Sequence, residues 1–95
     1  MHPAKVDRAA VSTLTDLPNI GPAMARDLTL LGITTPKQLR DQDPLVLYRK
    51  LCAMTGQHHD PCVLDVFMSI VAFMRGQPAQ PWWAFTAERK RLLAT

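Results

Sequence analysis

Apolar residues recur along the chain at helical spacing, in short blocks set off by proline and glycine. Met24, Ala25, Leu28 and Leu31 fall at i, i+1, i+4 and i+7, one stripe of a 3.6-residue period. Gly32 follows as a left-handed stop, and Ile33 is the apolar residue that folds back on such a cap. Leu47, Leu51 and Met54 repeat the spacing from Pro44 to about Thr55, Tyr48 and Cys52 widen that stripe, and Gly56 closes it. Between Asp60 and Gly76, Val63, Leu64, Phe67, Ile70, Val71 and Met74 form a stripe, while Val66, Met68, Ala72 and Phe73 fill most of the rest. A helix apolar nearly all round belongs at the centre of a small domain or under a partner, and the centre is the preferred reading. Asp65 within it needs an arginine, a backbone donor or water.

Val6 to Thr15 reads as a first helix, with Val6, Ala9, Ala10, Thr13 and Leu14 inward and Asp7 complementing the dipole. Met1 to Lys5 is expected to be loose. Gly21-Pro22, Thr35-Pro36, Asp43-Pro44 and Asp60-Pro61 each announce a helix start, because proline at the first helical position has φ already set and loses no hydrogen bond. Thr35 caps a short turn over Pro36 to Arg40. Gln77 to Pro81 is a connector, Trp82, Trp83 and Phe85 an aromatic anchor, and Thr86 the cap of a last helix carrying Glu88, Arg89, Lys90 and Arg91. No segment alternates with period two. The expectation is an all-α compact bundle of about five to six short helices, one domain over residues 1–95. Residues 1–5 are its flexible start, and residues 77–95 a Pro/Trp-rich extension packed on the core.

Leu17-Pro18-Asn19-Ile20-Gly21-Pro22, with Ala25 beyond, resembles the hairpin of the helix-hairpin-helix family, whose members bind DNA backbones without reading sequence. The physics is general: a turn feeding a helix leaves amides unpaired at the positive end of the dipole, where a phosphate oxygen fits. The expected phosphate-binding turn runs from Asn19 to Met24, with the N–H groups of Ile20, Gly21, Ala23 and Met24 as donors and Arg26 as the charged contact. Asn19 stands where the family usually has a second glycine; asparagine tolerates the left-handed region best after glycine. Met24 stands where the family commonly has a basic residue. The alternative is a corner that serves packing or a protein partner. Residues 44–55 and 60–75, joined by Gly56 to His59, have the outline of a degenerate second unit without the Ile-Gly signature.

Leu51-Cys52, Asp60-Pro61-Cys62-Val63-Leu64-Asp65-Val66-Phe67, Pro81-Trp82-Trp83-Ala84-Phe85-Thr86 and Glu88-Arg89-Lys90 resemble the "pathogenicity locus" family. These are small bacterial helix-hairpin-helix proteins, sometimes labelled mitomycin-resistance-like. The resemblance runs from about Leu14 to Lys90. In outline the chain is also similar to the C-terminal domain of TfoX-type competence regulators.

Charge changes this picture little. The chain has 11 basic and 8 acidic residues, net +3, with neither half a charge block, so it is compatible with nucleic acid but carries no arginine-rich arm. Arg89, Lys90 and Arg91 are auxiliary basic residues. No apolar run approaches a membrane span, the first fifteen residues have no signal-peptide pattern, and two cysteines fit reduced thiols in a cytoplasm.

Cys52, His58, His59 and Cys62 crowd the turn between two helices. Thiolate and imidazole suit Zn²⁺, although this spacing matches no recognised ligand pattern. Cys62 in a first helical turn is open to a dipole-lowered pKa, with His58 or His59 as its base. The plainer reading is two small buried hydrophobes and two solvent-facing histidines. No paired-carboxylate, Ser-nucleophile or phosphate-loop pattern is present, so no enzyme activity and no cofactor is expected. The leading expectation is a weak, sequence-independent DNA-binding module. The alternatives are an adaptor or homodimer using the apolar 60–75 helix, and a thiol or metal site at the Cys/His cluster. Exposed tryptophans beside basic residues would stack an unpaired base; clamping the tail to the core is the plainer role.

Overall fold

The computed structural model describes residues 1–94, so residue 95 of the expected extension lies outside it. Among the described residues the secondary structure is entirely helical: α1 (Pro22–Leu30), α2 (Pro44–Thr55), α3 (Cys62–Met74), α4 (Thr86–Leu93) and five short 3-10 turns. Its centre is α3, in which residues 64–71 are all buried. α2, α4 and the 3-10 turns Pro36–Asp41 and Trp82–Phe85 pack around it. Leu64, Phe67 and Ile70 have no exposed surface, and each such side chain contributes about 1.5–3 kcal/mol by leaving water. The radius of gyration, 12.3 Å, is that of a chain this long folded as one globule. No helix is long and apolar enough to cross a membrane.

The caps follow the proline grammar. Asp43 Oδ1 accepts the Leu45 N–H at 2.9 Å ahead of α2, and Asp60 Oδ1 accepts the Cys62 N–H at 2.9 Å ahead of α3. Thr35 and Gln38 form a reciprocal capping box over Pro36–Asp41. At the end of α1, Gly32 has φ 86°. The Ile33 and Gly32 N–H groups donate to Leu28 and Thr29 carbonyls at 2.9 and 3.0 Å, closing a Schellman motif over the buried Ile33.

Four expectations are corrected. Val6 to Thr15 is not an α-helix but carries the 3-10 turns Arg8–Ala10 and the start of Leu14–Asp16. Asp7 Oδ1 accepts the Ala9 N–H at 3.1 Å, and Asp16 Oδ2 accepts those of Ser12 and Thr13 at 3.0 and 2.9 Å. Such side-chain acceptors compete with helical i→i−4 bonds. Ala9 and Ala10 are accordingly exposed, and Leu14 is the buried anchor. Met1 to Lys5 is not loose: it holds the 3-10 turn Pro3–Lys5, and the Met1 amino group donates to Leu17 and Ile20 carbonyls at 2.9 and 2.7 Å. Met54 is half exposed, because the buried arc of α2 runs through Leu47, Tyr48 and Leu51 and passes it by. Thr86 does not cap α4; its hydroxyl donates to Asp65 Oδ2 at 2.6 Å.

Candidate nucleic-acid interface

The turn between Leu17 and Pro22 is shaped from inside. Leu17, Pro18 and Ile20 are buried, and Asn19 takes the left-handed conformation at φ 67°. That is the conformation its position requires of a glycine substitute. The Asn19 side-chain amide donates to Ser69 Oγ at 3.0 Å and to the Gln80 carbonyl at 2.8 Å, tying the turn to α3 and to the connector before the tryptophans. The Asn19 backbone N–H donates to Met1 O at 2.8 Å and the Ile20 N–H to Leu17 O at 3.4 Å.

The expected phosphate-binding residues therefore divide. Asn19 and Ile20 build the turn and have their amides engaged within it. Gly21, Ala23 and Met24 lie at the mouth of α1, which has no side-chain cap; the first helical bond is Ala25 N–H to Gly21 O at 3.0 Å. Gly21 is exposed, with extended backbone at φ −99° and nothing within 4 Å of where a Cβ would stand. Arg26 is exposed on the same helix, two residues beyond Met24.

A groove of about 670 Å³ opens beside the turn, and Asn19, Ile20 and Gly21 line it together with Trp82 and Trp83. The two indoles meet edge to face, 5.5 Å between centroids at 84°. Trp82 packs against the core, whereas Trp83 is 63% exposed. The expected anchor is therefore Trp82 with Phe85, and Trp83 is not part of it; the groove beside the turn was not legible, because the residues involved are some sixty positions apart in sequence.

The auxiliary basic residues divide too. Arg89 is an internal ion-pair partner: its Nε lies 2.7 Å from Oδ1 of the fully buried Asp65. That carboxylate holds the Arg89 guanidinium above its ordinary pKa. Lys90 and Arg91 are exposed on α4, from which no residue lines the groove. Arg8 and Arg75 are likewise spent on the fold. Arg8 donates to Phe73 and Gln77 carbonyls at 2.7 and 2.6 Å, with its guanidinium 4.0 Å over the Phe73 ring. Arg75 donates to Arg40 and Gln42 carbonyls at 2.9 and 3.0 Å.

At the Cys/His cluster, no three His, Cys, Asp or Glu side chains converge as a metal site among the described residues. His59 Nε2 lies 2.8 Å from Thr55 Oγ1, its carbonyl accepts the Tyr48 hydroxyl, and His58 is exposed. Burial, then Cys52, raises the Tyr48 hydroxyl pKa. The expected lowering of the Cys62 thiol is reversed: its hydrogen bond to Asp60, then burial, push it up. A hydrogen bond to a carboxylate favours the protonated thiol.

Fold and site together define a small all-helical protein with an uncapped helix mouth beside an aromatic shelf. The chain belongs to the pathogenicity locus family, whose model matches residues 7–91. It is similar to the mitomycin resistance protein McrB of Streptomyces lavendulae, 53% identical over 83 residues, which is 87% of this chain and 79% of that protein. No solved structure matches the chain significantly. Neither the family description nor the relative's name indicates a catalytic family.

Proposed function

We propose that this protein is a sequence-independent DNA-backbone binder that docks the mouth of α1 on a phosphate. The amides of Gly21, Ala23 and Met24 are the donors, and Arg26 supplies charge. The observation that carries the reading is that α1 begins without a side-chain cap and with open space in front of Gly21. A helix end so placed presents N–H groups and partial positive charge to an oxyanion. The left-handed Asn19 supports the likeness to a helix-hairpin-helix turn, even though a 3-10 turn over Leu14–Asp16 precedes it. The relative's name supplies the proposed setting, resistance to mitomycin, and two unpaired cysteines fit the reducing cytoplasm that goes with it. An adaptor or homodimer working through residues 60–75 has less support, since this chain's own elements cover residues 64–71.

Titration of two unrelated duplexes at about 50 and about 200 mM salt tests this. The expected result is equal affinity for both, with log K falling against log salt at about −0.9 per phosphate neutralised. Arg26→Glu should weaken binding to both duplexes alike. Undetectable or salt-insensitive binding overturns the proposal.

A further inference from the structure

We propose that the groove between Gly21 and the tryptophans takes an unpaired nucleobase, making single-stranded DNA the preferred form of substrate. This rests on the phosphate-binding reading of the turn and adds a second, chemically different half to it. A nucleotide offers an oxyanion and a flat apolar ring in one unit. The groove's lining holds a part for each: Gly21, the residue just ahead of α1, and the indoles of Trp82 and Trp83. Its volume, about 670 Å³, is that of a small-ligand site.

Trp83 is held for stacking. Trp82 is packed on the core and meets Trp83 at 84°, while 63% of Trp83 stays in water. A clamp for the tail needs Trp82 and Phe85, both packed against the core, but gains little from so exposed a ring. Charge agrees with the occupant. No Asp or Glu lines the groove, and Lys5 is exposed at the end of the turn whose Pro3 and Ala4 form its rim. Aromatic stacking accepts any base, consistent with a site without sequence readout.

The chain's two tryptophans are both in this groove, so intrinsic fluorescence reports on it directly. The probes are an oligothymidylate of about ten nucleotides, an abasic strand of the same length, and a duplex. We expect the thymidylate to quench the indole emission and to bind more tightly than the duplex. Trp83→Ala should weaken thymidylate binding about tenfold or more while changing duplex binding less than about twofold. Trp83→Phe should retain most of the affinity, and the abasic strand should bind the parent protein as weakly as thymidylate binds Trp83→Ala. Equal thymidylate affinity for Trp83→Ala and the parent, or equal affinity for abasic and thymidylate strands, overturns the inference. If salt-dependent duplex binding then persists, the backbone reading survives alone. Loss of every strand at low salt sinks both, as does quenching by free thymidine without strand binding. Trp83-dependent binding indifferent to Gly21→Asp keeps the base site and removes the turn's role.

Discussion

At position 21 the missing side chain decides two properties with opposite signs. The backbone there is extended, and a Cβ would meet nothing within 4 Å, so a larger residue fits without strain. Aspartate at this N-cap position would accept the amides of Ala23 or Met24 and complement the positive end of the helix dipole. It should stabilise α1 by about 0.5–1 kcal/mol. The same carboxylate would occupy the proposed phosphate donors. Gly21→Asp is therefore expected to raise the thermal midpoint while abolishing DNA binding, read by melting and titration on one sample. Met24→Lys should act the other way, strengthening binding severalfold and adding about one to the salt slope. A Gly21→Asp protein that binds as well as its parent would remove the turn from the interface.

Among the elements, the segment before α1 shows how local side-chain bonds override periodicity. Asp16 Oδ2 gathers the N–H groups of Ser12 and Thr13 and the Thr13 hydroxyl at 3.0 Å. The Thr13 and Ser12 backbone bonds lower its pKa from 3.8 to about 2. A depressed folded-state value means that this bonding stabilises the fold above the unfolded pKa. The contribution then fades as pH falls from about 4 towards 2. Urea unfolding across that range should show stability falling with acid, and Asp16→Asn should flatten part of the slope. Asp60, lowered by its bond to the Cys62 amide, contributes in the same direction. The apolar pattern from Val6 to Leu14 suggested a helix because periodicity cannot register a carboxylate turned back on its own backbone. Where proline and an N-cap acid agreed with the apolar stripe, as at Asp43-Pro44, the helix began at the expected residue.

Across the whole molecule, α4 is fastened to α3 by one buried charge pair. Asp65 has no exposed surface and is satisfied by the Arg89 guanidinium and the Thr86 hydroxyl. Removing only Arg89 leaves a carboxylate stranded in the core, so Arg89→Met should cost about 3–5 kcal/mol in urea unfolding. Replacing both, Asp65→Leu with Arg89→Met, should recover most of that loss. A double variant no better than the single one would show that the pair itself, not the orphaned charge, sets the cost. The need for a partner to Asp65 was legible in an apolar helix with one carboxylate. That Arg89 fills it was not, because Arg89, Lys90 and Arg91 stand side by side in α4 and only tertiary packing selects one. The turn at Asn19 and its left-handed backbone were likewise legible from local chemistry. The indole wall beside it depends on how residues 79–83 return across the fold.

Asn19 finds its side-chain partners 50 and 61 positions downstream, and Arg8 finds its own 65 and 69 positions away. A nascent chain leaving the ribosome therefore cannot complete the opening segment until residues near 80 have emerged. Among the elements before it, α1 packs on the 3-10 turn Leu14–Asp16. Folding should wait for nearly the whole polypeptide and then proceed in a single concerted step.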